Sequence, residues 1–161
     1  MIQAHTQEID RLVTSNISIS KTDWDAHETS WDFQTNELVR ISKEKGVNLL
    51  HSILANYKRE WEDKFFQLHE NEEELNRKFI EIYGLQDELT PDVPINEVTI
   101  LQKGEKSIED DDELVWHDDT IIKHFISYLV GCFMGRYSIE RPGLIIANQG
   151  QKPGDLDFES S

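Results

Sequence analysis

The sequence predicts a mainly α fold: a long amphipathic helix packed against shorter helices, with one or two short strands and an acidic loop. Three observations carry that expectation. Apolar residues recur at alternating steps of three and four over about residues 47–83, a second run over about 120–137 is apolar around most of a helix, and Gly and Pro separate the two. The boundaries that follow are an N-terminal helix and polar linker over 1–22, a helical domain over 23–147 and a polar tail over 148–161.

In chain order, Ile9, Leu12 and Val13 make a short helical face, and the Ser/Thr/Asn-rich stretch 14–21 reads as the linker. Residues 23–33 set Trp24, Trp31 and Phe33 among acids and polar side chains without a helical or strand period, the pattern of an ordered loop pinned by its rings. The long helix then presents Leu50, Ile53, Leu54, Tyr57, Trp61, Phe65, Leu68, Leu75, Phe79 and Ile82 as one stripe. At about 1.5 Å per residue it is a rod on the order of 54 Å, which needs another helix to lie against. From Trp61 the stripe is heptad-like, interrupted only at Glu72, so Trp61, Phe65, Leu75 and Phe79 are expected to form a core seam.

Gly84 supplies a left-handed C-cap, and Pro91 and Pro94 stop the helix from resuming. Residues 98–101 fit one short strand. Residues 105–119 carry eight acids against Lys106 alone, a density at which like charges repel and solvate, so a mobile surface loop is expected. Asp119 or Thr120 is placed to cap the next helix, whose apolar residues surround it and make it a buried, central element. Within that helix Gly131 and Gly135 form a small-xxx-small pair that admits a second backbone. Residues 144–147 fit a second strand.

Composition bounds the function. Sixteen basic and 32 acidic side chains give a formal charge of −16, which repels phosphate backbones, so direct nucleic-acid binding is not expected. At 161 residues the chain is one domain's worth, able to bury roughly 70 % of its unfolded surface. The apolar run near the C-terminal end is interrupted by Lys123, His124 and Arg136, so no membrane span is expected, and no secretory or transit signal opens the chain. The single cysteine, Cys132, leaves no disulfide framework and fits a cytoplasmic protein.

Catalytic and ligand signatures are missing. The histidines at 5, 27, 51, 69, 117 and 124 never fall at the i, i+4 spacing of a helical zinc site, and the run 110–113 lacks the alternation and central Gly of a calcium loop. Cys132 sits on the most apolar helix, where a thiol acts as a small hydrophobe, and neither GxSxG, GxGxxG nor GxxxxGK[ST] occurs. Glu72, Glu73 and Glu74 read as a solvated helix face; Arg136 reads as a residue complementing the helix dipole, with a phosphate contact as the rarer role. No catalytic, cofactor-binding or metal residue is assigned.

Three blocks add a resemblance. Residues 71–91 (NEEELNRKFIEIYGLQDELTP), residues 126–138 (ISYLVGCFMGRYS) followed by Pro142-Gly143-Leu144-Ile145, and Asp23-Trp24-Asp25 with Glu28-Thr29-Ser30-Trp31-Asp32-Phe33 resemble the large adenine-specific DNA methyltransferases of BREX-type phage-exclusion and fused restriction-modification systems. The resemblance implies structural roles for Trp24, Trp31, Phe33, Asn76, Phe79, Tyr83, Gly84, Gly131, Gly135, Arg136 and Tyr137. It implies no catalytic residue, because the Asn-Pro-Pro-Tyr motif of that family is missing: no Pro-Pro pair occurs, and Asn148 is followed by Gln149.

What it implies instead is a non-catalytic helical linker or scaffold joining the AdoMet-dependent core of a parent enzyme to its target-recognition part. AdoMet and DNA would then be met only by the parent, the partners would be the parent's own domains, and a homodimer through exposed helix seams is the further expectation. The competing reading, from charge alone, is a free-standing acidic helical protein acting as a DNA mimic or interaction module.

Overall fold

The computed structural model describes residues 2–109 and 113–145, with side chains from residue 6 onward. The elements are α1 (Ile2–Asp25), α2 (Glu37–Lys45), α3 (Leu50–Tyr83), a 3₁₀ turn (Ile95–Glu97), β1 (Lys106–Ile108), β2 (Leu114–Trp116) and α4 (Asp118–Phe133). The expected class is met: a mainly helical chain with one long helix, shorter helices packed on it, and one small antiparallel sheet. Two compact units divide it, one of Met1–Asp23 with Lys58–Trp116, the other of Trp24–Tyr57 with His117–Ser161.

In the first unit α1 lies along α3. Lys78 pairs with Glu8 at 2.7 Å, and Asn71 Nδ2 donates to Ser15 Oγ at 3.2 Å and Asn16 Oδ1 at 2.8 Å. Partners on α3 fall as those on α1 rise, so the two helices run antiparallel. This corrects the linker reading of residues 14–21, which are helical throughout. Ser15 and Asn16 find their partner on α3, and just beyond the stretch Thr22 Oγ1 donates back to the Ser18 carbonyl at 2.7 Å.

The core of this unit is Leu12, Trp61, Phe65, Leu68, Val98, Ile100 and Leu101, all buried. The apolar seam stops at Leu68; beyond it the buried positions are Asn71 and Lys78, matched to the polar side chains of α1. Phe79 is therefore not in the seam but 42 % exposed, where it stacks on Tyr83 with ring centroids 6.4 Å apart. After Tyr83 the helix ends as expected on Gly84 at φ 67°, with Leu85 N–H donating to the Ile80 carbonyl at 2.9 Å and Gly84 N–H to that of Glu81 at 3.2 Å. Asn76 Nδ2 donates to the Pro91 carbonyl at 3.2 Å, and His69 Nε2 to the Val93 carbonyl at 2.7 Å, holding the returning segment on α3.

Two further expectations change here. Residues 98–101 are not a strand but an irregular segment following the 3₁₀ turn, with Leu101 at φ 58° and its N–H on Asp23 Oδ1 at 3.0 Å. The acidic stretch holds a hairpin in the register Lys106↔Trp116, Ser107↔Val115, Ile108↔Leu114. It forms because apolar side chains flank the acids, while Lys106 sits 4.7 Å over the Phe65 ring. Burial pushes the Lys106 ammonium below the usual lysine range, against the opposing pull of Glu105 and Asp23. Asp110, Asp111 and Asp112 lie outside the described residues, as does the tail over 148–161.

The second unit contains α2, a helix not expected from the sequence. Asn36 caps it, Oδ1 accepting from Leu38 N–H at 3.0 Å, and Gly46 at φ 64° ends it, with Leu38 and Ile41 turned inward. The first turns of α3 add Ile53, Leu54 and Tyr57 to the buried set. His117 and not Asp119 or Thr120 is the N-cap of α4, and Asp119 instead pairs with Lys123 at 2.7 Å. α4 is not buried all round: Ile121 and Tyr128 are inside, while Ile126, Val130 and Phe133 are exposed. No strand forms at Leu144 and Ile145; Ala147 lies outside the described residues.

Candidate functional site

The second unit brings two distant sequence blocks together through three rings. Phe33, Tyr128 and Tyr137 form a buried cluster, with centroids 5.9 Å apart for Phe33 and Tyr128 and 5.4 Å for each of the other pairs. Edge-to-face and offset contacts of this kind suit the ring quadrupoles. The Tyr128 hydroxyl lies 3.2 Å from Thr35 Oγ1 and donates to the Ser138 carbonyl at 3.1 Å, so the more deeply buried of the two phenols is satisfied. Burial pushes both phenols above the usual tyrosine range, Glu28 adding to the rise at Tyr137.

Both glycines of the small-xxx-small pair have work here, and neither admits a second helix. A Cβ on Gly131 would lie 2.6 Å from Tyr137 Cδ2 and 2.8 Å from Cε2, so the tyrosine ring occupies the place a side chain would take. Gly135, at φ 77°, ends α4: its N–H donates to the Cys132 carbonyl at 3.0 Å, and Arg136 N–H to that of Gly131 at 2.8 Å. This turn reverses the chain and lays Tyr137 back on α4. Ile145 N–H donating to the Arg136 carbonyl at 2.8 Å ties the returning segment to the turn after α4, and Gly143 N–H donating to the Gln34 carbonyl at 2.6 Å ties it to the chain just past the first block.

Between the blocks lies a cleft of about 200 Å³, walled by Glu28, Thr29, Ser30, Trp31 and Phe33 on one side and by Arg136, Tyr137 and Leu144 on the other. Ser30 holds the first wall, donating to Asp25 Oδ1 at 2.7 Å and accepting from Asp32 N–H at 3.1 Å. Trp31 stands fully exposed at the mouth, 100 % accessible, and the Arg136 guanidinium lies 5.3 Å from the Tyr137 ring. A second cavity of about 370 Å³ shares Glu28 and Arg136 with the first and continues over Ser127, Val130, Gly131 and Met134. A third, of about 380 Å³, is an apolar groove between α2, the start of α3 and Phe125. His27 and His124, far apart in sequence, meet edge to face at 5.8 Å.

Of the residues singled out in the sequence, Trp31, Phe33, Gly131, Gly135, Arg136 and Tyr137 thus converge on one place. Trp24 is exposed near the end of α1, and Asn76, Phe79, Tyr83 and Gly84 belong to the end of α3 in the first unit. Glu28 and Leu144 lie within the sequence blocks that carry the resemblance but were given no site role there; the fold brings both to the cleft. The cleft joins an aromatic wall, one guanidinium and one carboxylate: groups that grip a surface or a side chain.

No protein-family model matches the chain. What the architecture defines is a helical segment built around a structural aromatic cluster. Its relatives are methyltransferases: it is 39 % identical over 158 residues to the adenine-specific methyltransferase PglX of Lacticaseibacillus casei (strain Zhang), covering 98 % of this chain and 12 % of that protein. It is 37 % identical over 148 residues to the adenine-specific methyltransferase BrxX of Escherichia coli O9:H4 (strain HS), covering 89 % of this chain and again 12 % of the relative. The chain therefore matches a segment of each of these two proteins and spans 12 % of their length.

Proposed function

We propose that this chain is a non-catalytic helical segment of an adenine-specific DNA methyltransferase of a phage-exclusion or restriction-modification system, holding an AdoMet-dependent core and a target-recognition part in fixed relation. One observation carries the reading: nearly the whole chain matches, in each of two adenine-specific methyltransferases, a stretch amounting to 12 % of the protein. Methyl transfer to an adenine needs the base held out of the stack against the methyl donor, and a positional error of about 1 Å costs rate heavily, so a stiff spacer has a chemical purpose. AdoMet chemistry, DNA contact and the cytoplasmic setting belong in this reading to the longer protein. The antiparallel α1 and α3 supply stiffness within the first unit, and the charge of −16 keeps the segment itself off DNA.

A DNA mimic is the reading that the charge alone would favour. Its working surface would be carboxylates, whereas residues 125–135, which include the exposed apolar residues Ile126, Val130, Phe133 and Met134, contain no acidic or basic side chain. The test is to excise the matching 158 residues from the L. casei methyltransferase and to put this chain in their place. Adenine methylation of host DNA should be lost on excision, with AdoMet binding kept, and should return with the replacement. Methylation that survives excision, or AdoMet binding lost with it, refutes a spacer role.

A further inference from the structure

The second unit exposes an apolar surface that the reading above leaves without a task. Phe133 is 90 % and Met134 78 % accessible, with Ile126 and Val130 beside them at helical spacing. This face does not end at α4. The cavity bounded by Val130 and Met134 shares Glu28 and Arg136 with the cleft lined by Trp31, so the two cavities adjoin across that charged pair. Tryptophan, methionine and arginine around a pocket are the residues that interface centres favour.

Charge narrows what can cover it. Three residues in ten of this chain are charged, yet none from 125 to 135 is, so nothing there would attract a nucleic acid or a strongly charged peptide. Arg136 is the one cation of the pocket, and it already shares it with Glu28. The matching covers only 12 % of each relative, so each has most of its polypeptide outside the matched stretch. We propose that this face, from Phe133 and Met134 across Arg136 to Trp31, is the surface by which the segment docks on an apolar, uncharged part of its own longer methyltransferase chain. The proposal rests on the segment reading above, and adds to it which side of the segment is covered.

Hydroxyl-radical footprinting tests it, since tryptophan, methionine and phenylalanine oxidise readily when wet. The isolated 161-residue chain and the same chain placed in the L. casei methyltransferase are compared residue by residue. In the longer protein Trp31, Phe133 and Met134 should oxidise slower by about tenfold, as side chains at a dry interface centre do. Phe133→Asp should restore oxidation of Trp31 and Met134 there, while leaving the melting curve of the isolated chain unchanged, which separates undocking from misfolding. Equal oxidation in both settings, with adenine methylation intact, overturns the docking face and leaves the segment reading standing. Equal oxidation without methylation overturns both. Protection that appears in the isolated chain as its concentration rises identifies a second copy as the occupant and also overturns the proposal.

Discussion

Replacing Gly131 by alanine asks two opposed forces to declare themselves. In an open helix the change would stabilise by about 1 kcal/mol, because glycine is the poorer helix former. Here the new methyl would lie 2.6 Å from Tyr137 Cδ2, and the ring cannot swing away freely, being wedged against Tyr128 and Phe33 at 5.4 Å from each. Overpacking of a closed cluster costs about 1–3 kcal/mol, and a contact this short puts the cost at about 2–3 kcal/mol, so the steric effect wins and the net loss should be about 1–2 kcal/mol. For a chain of this size that is a fall in Tm of about 2–8 °C, read by circular dichroism. The decisive experiment repeats the change beside Tyr137→Ala. With the ring gone, Gly131→Ala should stabilise by about 0.5–1 kcal/mol, a reversal of sign that only direct contact produces. If Gly131→Ala raises Tm in both backgrounds, Tyr137 does not sit on the glycine, and the account of how the two sequence blocks meet fails with it.

Phe65→Ala should cost about 3–5 kcal/mol in chemical denaturation, whereas Phe79→Ala, at a half-wet position, should cost under about 1 kcal/mol; equal losses would put Phe79 back in a seam. Asn36→Ala should cost about 1 kcal/mol by removing the α2 cap, and Asn36→Asp should not, a contrast that a pair of thermal melts resolves. Burial pushes the Glu72 carboxyl above its ordinary 4.5, with His69 pulling the other way. A carboxyl raised in the folded state binds its proton more tightly there, so ionised Glu72 burdens the fold above its folded value and the burden lifts as pH falls toward 4.5. Glu72→Gln should therefore melt above the parent at pH 7, with the gap closing through that window; a gap that widens on acidification would contradict the sign.

Which parts of this fold could be read from the sequence follows from where each signal resides. The rod of α3 and the apolar run of α4 were legible because periodicity is local, and Gly84 because a left-handed cap needs no partner to be recognised. Residues 14–21 were not: serine and asparagine favour loops unless another helix offers acceptors and donors at the right height, as Asn71 does from 55 and 56 residues away. Phe79 misled for the same reason, since hydrophobicity marked it for the seam while the facing helix offered Glu8 to Lys78 instead. α2 had its signals in plain view, Asn36 before and Gly46 after a Leu38–Ile41 pair, but residues 34–46 were assigned no element. The cleft was half legible. Its aromatic and arginine residues stood out in the sequence blocks, but that they share one wall depends on a chain reversal set by Gly135, which spacing alone does not report.

Asn71 has one more consequence, for how α1 and α3 can move. Its amide is buried between the helices with three partners, Ser15, Asn16 and Gln67, the last donating to its carbonyl oxygen at 2.9 Å. Were α1 to ratchet along α3 by one turn, about 5.4 Å, so that Arg11 and Leu12 took the places of Ser15 and Asn16, the amide would meet no acceptor there, and an orphaned buried donor costs about 1–3 kcal/mol. An all-leucine seam would slip with little resistance; this one is keyed, in the manner of a single asparagine that fixes register in a coiled coil. Sliding in that direction breaks the same amide contacts as separation does, so a push on the end of α1 is passed to α3 as well.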